Sequence, residues 1–200
     1  DDPMTGPDAD ACLALGMDGA KLLLRVSFDD RDSLRTLEAA ALAVTQFARR
    51  GLPVFLEPLP VHRVDGVWKV DKRPEPMVQL LGTAQALGES SRHTWLKLPW
   101  FEPFEPVAQA TTLPILILGG ESTGDPRVLL QQVAAALASG STVRGTMAGR
   151  NLLYPGGEDP LVAAEMIDAL VHRGASVDEA IAAGEARRGQ ELSIITQHLP

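Results

Sequence analysis

Thr94-Trp95-Leu96-Lys97-Leu98-Pro99-Trp100 sets a single lysine in the middle of an otherwise apolar run. The run reads as a buried β-strand. Side chains alternate along a strand, so Trp95, Lys97 and Pro99 share one face while Leu96 and Leu98 share the other. A lysine inside such a segment is costly unless it is paired or neutral. A free lysine titrates near ~10.4, leaving about 0.04% as neutral amine at pH 7. Lowering a lysine's pKa by about three units through desolvation raises that fraction roughly a thousandfold, at a cost of about 4 kcal/mol. A neutral buried amine is the nucleophile that makes a Schiff base with a carbonyl. The plainer reading is a lysine whose ammonium snorkels out of the strand end.

Outward from this strand, the chain alternates strand and helix. Gly19-Ala20-Lys21-Leu22-Leu23-Leu24-Arg25-Val26 is a nearly continuous apolar strand, the pattern of a sheet covered on both faces. Leu52 to Leu59 is the next strand, and residues 63–73 after it read as a small hairpin or a lid. Leu113 to Leu118 runs into Gly119-Gly120, and Val143 to Ala148 meets Gly149-Arg150-Asn151. Between the strands the helical periods fall at Pro7–Leu15, from Ser33 (a candidate N-cap) to Gly51, at Glu75–Leu87, at Pro106–Ala110 and from Asp125-Pro126 to Gly140. Two helices close the pattern, Pro160–His172 and Val177–Arg188, the second with a Ser176/Glu179 capping box.

Repeated βα units with apolar strands predict an α/β fold with a parallel sheet. A doubly wound sheet and a (β/α)8 TIM barrel share this pattern. The barrel is favoured by polar or glycine residues near the carboxyl ends of the strands, and by glycines after the last two, where barrels commonly bind phosphate. A short helix beginning near Asn151 would point its positive end at such an anion. A plain turn explains a double glycine equally well.

Bulk properties narrow the partners. The 200 residues amount to one domain or a little more, with 45% hydrophobic residues and a net charge of −8. No long basic run is present, which argues against nucleic acid and anionic membranes. No apolar run is long enough to span a bilayer. The one cysteine, Cys12, excludes an internal disulfide, suits a cytoplasmic setting and sits in an Ala/Leu-rich helical stretch as a small hydrophobe. His62 and His93 lie near site loops without metal-ligand spacing, so no metal and no cofactor are expected.

Gly-Ala-Lys-Leu-Leu-Leu, Phe-Leu-Glu-Pro, Trp-Leu-Lys-Leu-Pro, Leu-Gly-Gly and Gly-Arg-Asn-Leu-Leu-Tyr-Pro occur here in that order. Together they resemble class I aldolases of the deoxyribose-phosphate/tagatose-bisphosphate group, nearest to a bacterial branch of barrel proteins associated with inositol catabolism. The likeness covers roughly Asp8 to Leu170. It implies that Lys97 forms the Schiff base, that Lys21 is a second lysine whose like charge favours a neutral amine, and that Glu57 is an acid/base candidate. It also implies that backbone amides at Gly119, Gly120 and Gly149, with Arg150 beside them, hold a substrate phosphate. Glu121 departs from the family pattern, since a carboxylate after the double glycine suits phosphate poorly.

Arg25 shares a strand face with Lys21 and could clamp a carboxylate or phosphate, or form a structural salt bridge. Glu57 could equally serve to neutralise Lys21 or Arg25. On the resemblance the five strands are strands four to eight of a barrel that usually needs about 250 residues. The expectation is therefore one partial barrel domain over residues 1–200, a piece of a longer chain, weakly stable and inactive by itself. The activity implied is reversible aldol cleavage of a phosphorylated keto sugar, with a homo-oligomer compatible. The alternative is a non-catalytic barrel that binds a phosphorylated metabolite or an assembly partner.

Overall fold

Six strands form one sheet: β1 (Ala20–Val26), β2 (Val54–Val64), β3 (Val67–Val70), β4 (Thr94–Leu98), β5 (Ile115–Leu118) and β6 (Val143–Met147), all but β3 marked by apolar runs in the sequence. The computed structural model describes residues 2–189; Asp1 and residues 190–200 lie outside it. The spatial order β1-β2-β4-β5-β6 follows the chain, and every neighbouring pair on that path is parallel. A doubly wound sheet reverses direction at a switch point. No reversal occurs here, so each crossover steps the same way around, as in a TIM barrel. β3 stands apart as the antiparallel partner of the far end of β2.

The helices are α1 (Ala9–Ala14), α2 (Ser33–Arg50), α3 (Pro74–Ala84), α4 (Glu105–Gln109), α5 (Pro126–Ala138), α6 (Arg150–Leu153), α7 (Pro160–His172) and α8 (Val177–Glu185). Contacts divide the chain into two compact units. The first runs through Leu118 and adds Ala136–Met147, so it holds the entire sheet; the second comprises Gly119–Ala135 and the chain from Ala148 onward.

In the first unit one strand face is sealed. Leu24, Val26, Val54, Leu56, Leu96, Leu98, Ile115 and Ile117 are buried, and with Val44 and Phe47 of α2, Met77, Leu80 and Leu81 of α3 and Val107 of α4 they form one apolar cluster. The opposite face is half-exposed. It carries Lys21, Leu23 and Arg25 of β1, Phe55, Glu57 and Leu59 of β2, Trp95 and Lys97 of β4 and Leu116 of β5. The expectation that β1 is covered on both faces is therefore corrected. Leu23 fills a position on the half-exposed face, so three leucines in a row hid a two-residue alternation that the exposed Lys21 and Arg25 make plain.

Two further corrections have local causes. β2 continues to Val64 rather than stopping near Leu59. Its even-numbered N–H groups face β4, as Val54 shows by donating to the His93 carbonyl. Pro58 and Pro60 lack that N–H, and they begin just past Leu56↔Leu96, the last pair recorded on the β4 side. The strand then turns through Asp65 and Gly66, at φ of 52° and 78°, into β3. An Asp-Gly pair is the preferred two-residue hairpin turn because it tolerates positive φ at both positions. Segment 63–73 is thus a hairpin extension. Ser33, expected to cap α2, instead accepts the Ser27 N–H at 2.9 Å, leaving Asp32 at the cap without a side-chain bond.

In the second unit, Ser176 and Glu179 make the expected capping box on α8, and α8 packs along α7. Glu165 of α7 binds Arg173 and also Arg187, beyond the end of α8.

Leu96 is fully buried in the sealed face, whereas Leu42 of α2 is 61% exposed. Leu96→Ala is expected to cost about 2–5 kcal/mol and Leu42→Ala under about 0.5 kcal/mol, read from urea unfolding of sheet signal.

Candidate active site

The parallel register builds the centre. Leu56 pairs with Leu96, so the next residues, Glu57 and Lys97, stand side by side on the half-exposed face. Leu23 faces Glu57 from β1 and Leu116 faces Lys97 from β5. Lys21 lies one pleat repeat below Leu23, level with Phe55. Lys97 Nζ donates to Glu57 Oε2 at 3.1 Å, and Lys21 Nζ reaches the same oxygen at 3.3 Å. The side chains of Glu57 and Lys97 are 13% and 17% exposed, that of Lys21 41%. Three of the residues singled out in the sequence thus meet on one carboxylate oxygen.

Below this row Phe55 and Trp95 contact each other at 6.0 Å between ring centroids, so the centre stands on an aromatic floor. A low-dielectric wall beside the charges strengthens every electrostatic interaction among them. Lys21 also lines an open cavity of about 1000 Å³ between β1, α2 and residues 2–8. Among the described residues no group of three or more His, Cys, Asp or Glu could hold a metal ion.

Arg25 is placed differently. Its Nε donates to both oxygens of Asp2, at 3.0 and 3.1 Å, its terminal nitrogen bonds Oδ1, and its backbone N–H reaches Oδ2 at 2.8 Å. Asp2 is buried and its own N–H donates to Thr36 Oγ1 at 2.9 Å. Of the two roles open to Arg25, the geometry gives it the salt bridge; a substrate anion would have to displace Asp2.

Gly119, Gly120, Gly149 and Arg150 belong to the second unit. A side chain at Gly119 would collide with Ala148, which explains glycine there, and Gly120 has φ of 64°. Gly149 caps α6, and Arg150, its first residue, is exposed. Asn151 donates to the carbonyls of Gly119 and Glu121, and Ser122 Oγ donates to the Tyr154 carbonyl at 2.8 Å. The backbones of Gly124 and Gly156 touch so closely that a Cβ at Gly156 would overlap the Gly124 oxygen. These contacts pin the segment after β5 to the segment after β6.

A family model, Cgl0159-like, matches residues 1–169. The crystal structure of Cgl0159 from Corynebacterium glutamicum is 37% identical, covers 86% of this chain and 57% of its own, and superposes with a TM-score of 0.78. The chain belongs to the Cgl0159-like family. Two further solved structures share the fold of this family member at lower identity. An archaeal fructose 1,6-bisphosphate aldolase is 20% identical over 86% of this chain and 66% of its own, TM-score 0.69. A Schiff-base-forming fructose-1,6-bisphosphate aldolase is 20% identical over 85% and 65%, TM-score 0.67. The Cgl0159-like chain therefore has an aldolase-like α/β fold and spans less than two thirds of each of these relatives. A search of curated proteins finds no match. No described helix of this family member is long and apolar enough to cross a membrane.

Two residues of the site region escaped the sequence reading: Asp2, which holds Arg25, and Trp68, on the hairpin near it. The only signals were an arginine in a strand that needs a counter-charge and an Asp-Gly turn flanked by β-formers. Burial raises the Asp2 carboxyl, but the Arg25 hydrogen bonds and charge outweigh it, so its pKa falls below the ordinary 3.8. A depressed carboxylate contributes stability above its ordinary pKa and loses it as pH falls through the folded value. Asp2→Asn is therefore expected to be less stable than wild type near neutrality, with the gap closing below about pH 4 in a pH series of thermal melts.

Proposed function

We propose that this chain carries the reaction centre of a class I, Schiff-base aldehyde-lyase that reversibly cleaves a phosphorylated keto sugar. The observation that supports the reading is the single Glu57 oxygen within hydrogen-bond reach of both Lys97 and Lys21. Glu57 takes a proton from the Lys97 ammonium, and the freed lone pair bonds to the substrate ketone carbon. One remaining amine proton moves to the carbinolamine oxygen. The Glu57 proton joins it, and water leaves to give a protonated imine. Glu57, again a carboxylate, removes the proton of the hydroxyl two carbons away; the carbon–carbon bond breaks and its electrons flow into the imine as an enamine. The aldehyde departs. The enamine carbon is protonated, and water hydrolyses the imine to free the second product and restore Lys97. Lys21, 3.3 Å from the same oxygen, stays beside the centre throughout as a second partner of Glu57.

For the second unit the proposal is separate: backbone N–H groups at Gly119, Gly120 and Gly149, with the exposed Arg150, hold phosphate. The placement in inositol catabolism, a cytoplasmic setting and a homo-oligomeric assembly belong to the same proposal.

Borohydride added with a keto-sugar phosphate is expected to leave a stable adduct on Lys97, located by peptide mass spectrometry. Lys97→Met should abolish both label and cleavage, and Glu57→Gln should slow cleavage by about 10²–10⁴-fold. An adduct on another lysine, with Lys97 unlabelled, would overturn the assignment.

A further inference from the structure

Beyond the lysine centre, on the same half-exposed face and within the first unit, lies a cavity of about 160 Å³. Its wall includes Asp2, Arg25, Ser27, Asp30, Ser33 and Trp68. Position comes from register. Arg25 pairs with Leu59, one pleat repeat of about 7 Å toward the carboxyl ends of the strands from the Leu23–Glu57 pair. Val61, another repeat on, joins the wall, and Trp68 sits on the same face of the hairpin because Arg63 pairs with Trp68 as Val61 pairs with Val70. The near wall thus lies on the same sheet face as Lys97, two strands across from it and one pleat repeat toward the carboxyl ends.

The chemistry of the wall is specific. It holds two carboxylates and one guanidinium, and the guanidinium is already engaged by Asp2. Asp30 uses one oxygen to accept the Asp32 N–H at 3.0 Å, which leaves its other oxygen for a donor. Ser27 and Ser33 add hydroxyls that both give and accept, with Ser33 Oγ fixed by the Ser27 N–H. Trp68 contributes an indole N–H and an apolar ring, held in place by Arg63 at 4.7 Å from its centroid. Room is not what discriminates, since the volume would take about five waters at roughly 30 Å³ each, and a phosphate would fit. Charge does: a phosphate dianion would face Asp30 with no cation in the wall uncommitted, whereas sugar hydroxyls find both donors and acceptors and a flat ring for their C–H faces.

We propose that this cavity binds the uncharged, hydroxyl-bearing end of the substrate, so that the ketose accepted carries phosphate at one end only. The inference rests on Lys97 as the imine-forming residue and adds which end of the sugar lies against Trp68.

The test titrates the protein with fructose 1-phosphate, tagatose 1-phosphate and their 1,6-bisphosphates, following tryptophan fluorescence and, in parallel, borohydride labelling. At least one monophosphate is expected to bind tenfold or more tightly than its bisphosphate, with a fluorescence change that Trp68→Phe removes. Asp30→Asn should narrow that preference at least threefold, and Ser33→Ala, which leaves the charges alone, should weaken the monophosphate without narrowing it. Equal or tighter binding of the bisphosphates overturns the proposal, as does a signal unchanged in Trp68→Phe or an Asp30→Asn variant with the wild-type preference. Selective monophosphate binding at Trp68 without label on Lys97 would instead remove the imine chemistry and leave the cavity's specificity standing.

Discussion

The alignment of β2 with β4 is the constraint on which the centre depends. Leu56 beside Leu96 seals the core, and the same register sets Glu57 beside Lys97 on the opposite face. Because side chains alternate with a period of two, a one-residue slip of β4 would turn Lys97 into the apolar layer and bring Leu96 out, and a slip of β2 would do the same with Glu57 and Leu56. Either slip buries a charge and exposes a fully buried leucine, so core packing and site geometry enforce one another. The ladder also ends where it must. Pro58 and Pro60 stop hydrogen bonding toward β4 just beyond the pair, freeing β2 to run on into the hairpin that brings Trp68 over the strand ends.

Charge on this face is uneven in a useful way. Lys21, Lys97 and Arg25 supply three cations, while Glu57 and Asp2 supply two carboxylates that contact them. A chain with a net charge of −8 therefore keeps one surplus positive charge at its lysine centre. The surplus is not spread evenly: Arg25 has a carboxylate of its own, and two lysines share the other. An anionic substrate would be drawn toward the lysine pair rather than toward the arginine, which matches the uncharged character assigned to the Arg25 end.

Much of this was legible in the sequence. The five parallel strands, the lysine strand among them, followed from apolar runs punctuated by glycine and proline, and Lys97 stood out because a charge inside such a run requires compensation; the roles of Lys21 and Glu57 came only with the resemblance to class I aldolases. What could not be read was pairing across long separations. Asp2 meets Arg25 from 23 positions away, and nothing local in Asp-Asp-Pro announces that contact. Trp68 is an ordinary β-former on a short strand; only the reach of β2 past Leu59 gives it a role. Ser33 illustrates the converse. The local rule names it a helix cap, yet it bonds the Ser27 N–H, a tertiary demand overriding a propensity. The two-sided burial expected of β1 failed for a related reason: letters record hydrophobicity, and Leu23 is apolar wherever it points.

A purely structural reading of the Glu57 cluster has to explain its stoichiometry. One half-buried carboxylate is fully compensated by one lysine, and a second ammonium within reach of the same oxygen adds repulsion between like charges as well as attraction. Breaking such pairs is costly, but making them seldom stabilises a fold more than well-packed apolar side chains would. Leucines occupy the flanking positions, Leu23 on one side and Leu116 on the other, so apolar packing is clearly tolerated along this row. Retaining two lysines and a carboxylate there gives up stability that leucine could supply. On the proposed Schiff-base reading, proton exchange among three groups around one oxygen is what that arrangement would supply, letting Lys97 become a nucleophile and recover its proton afterwards.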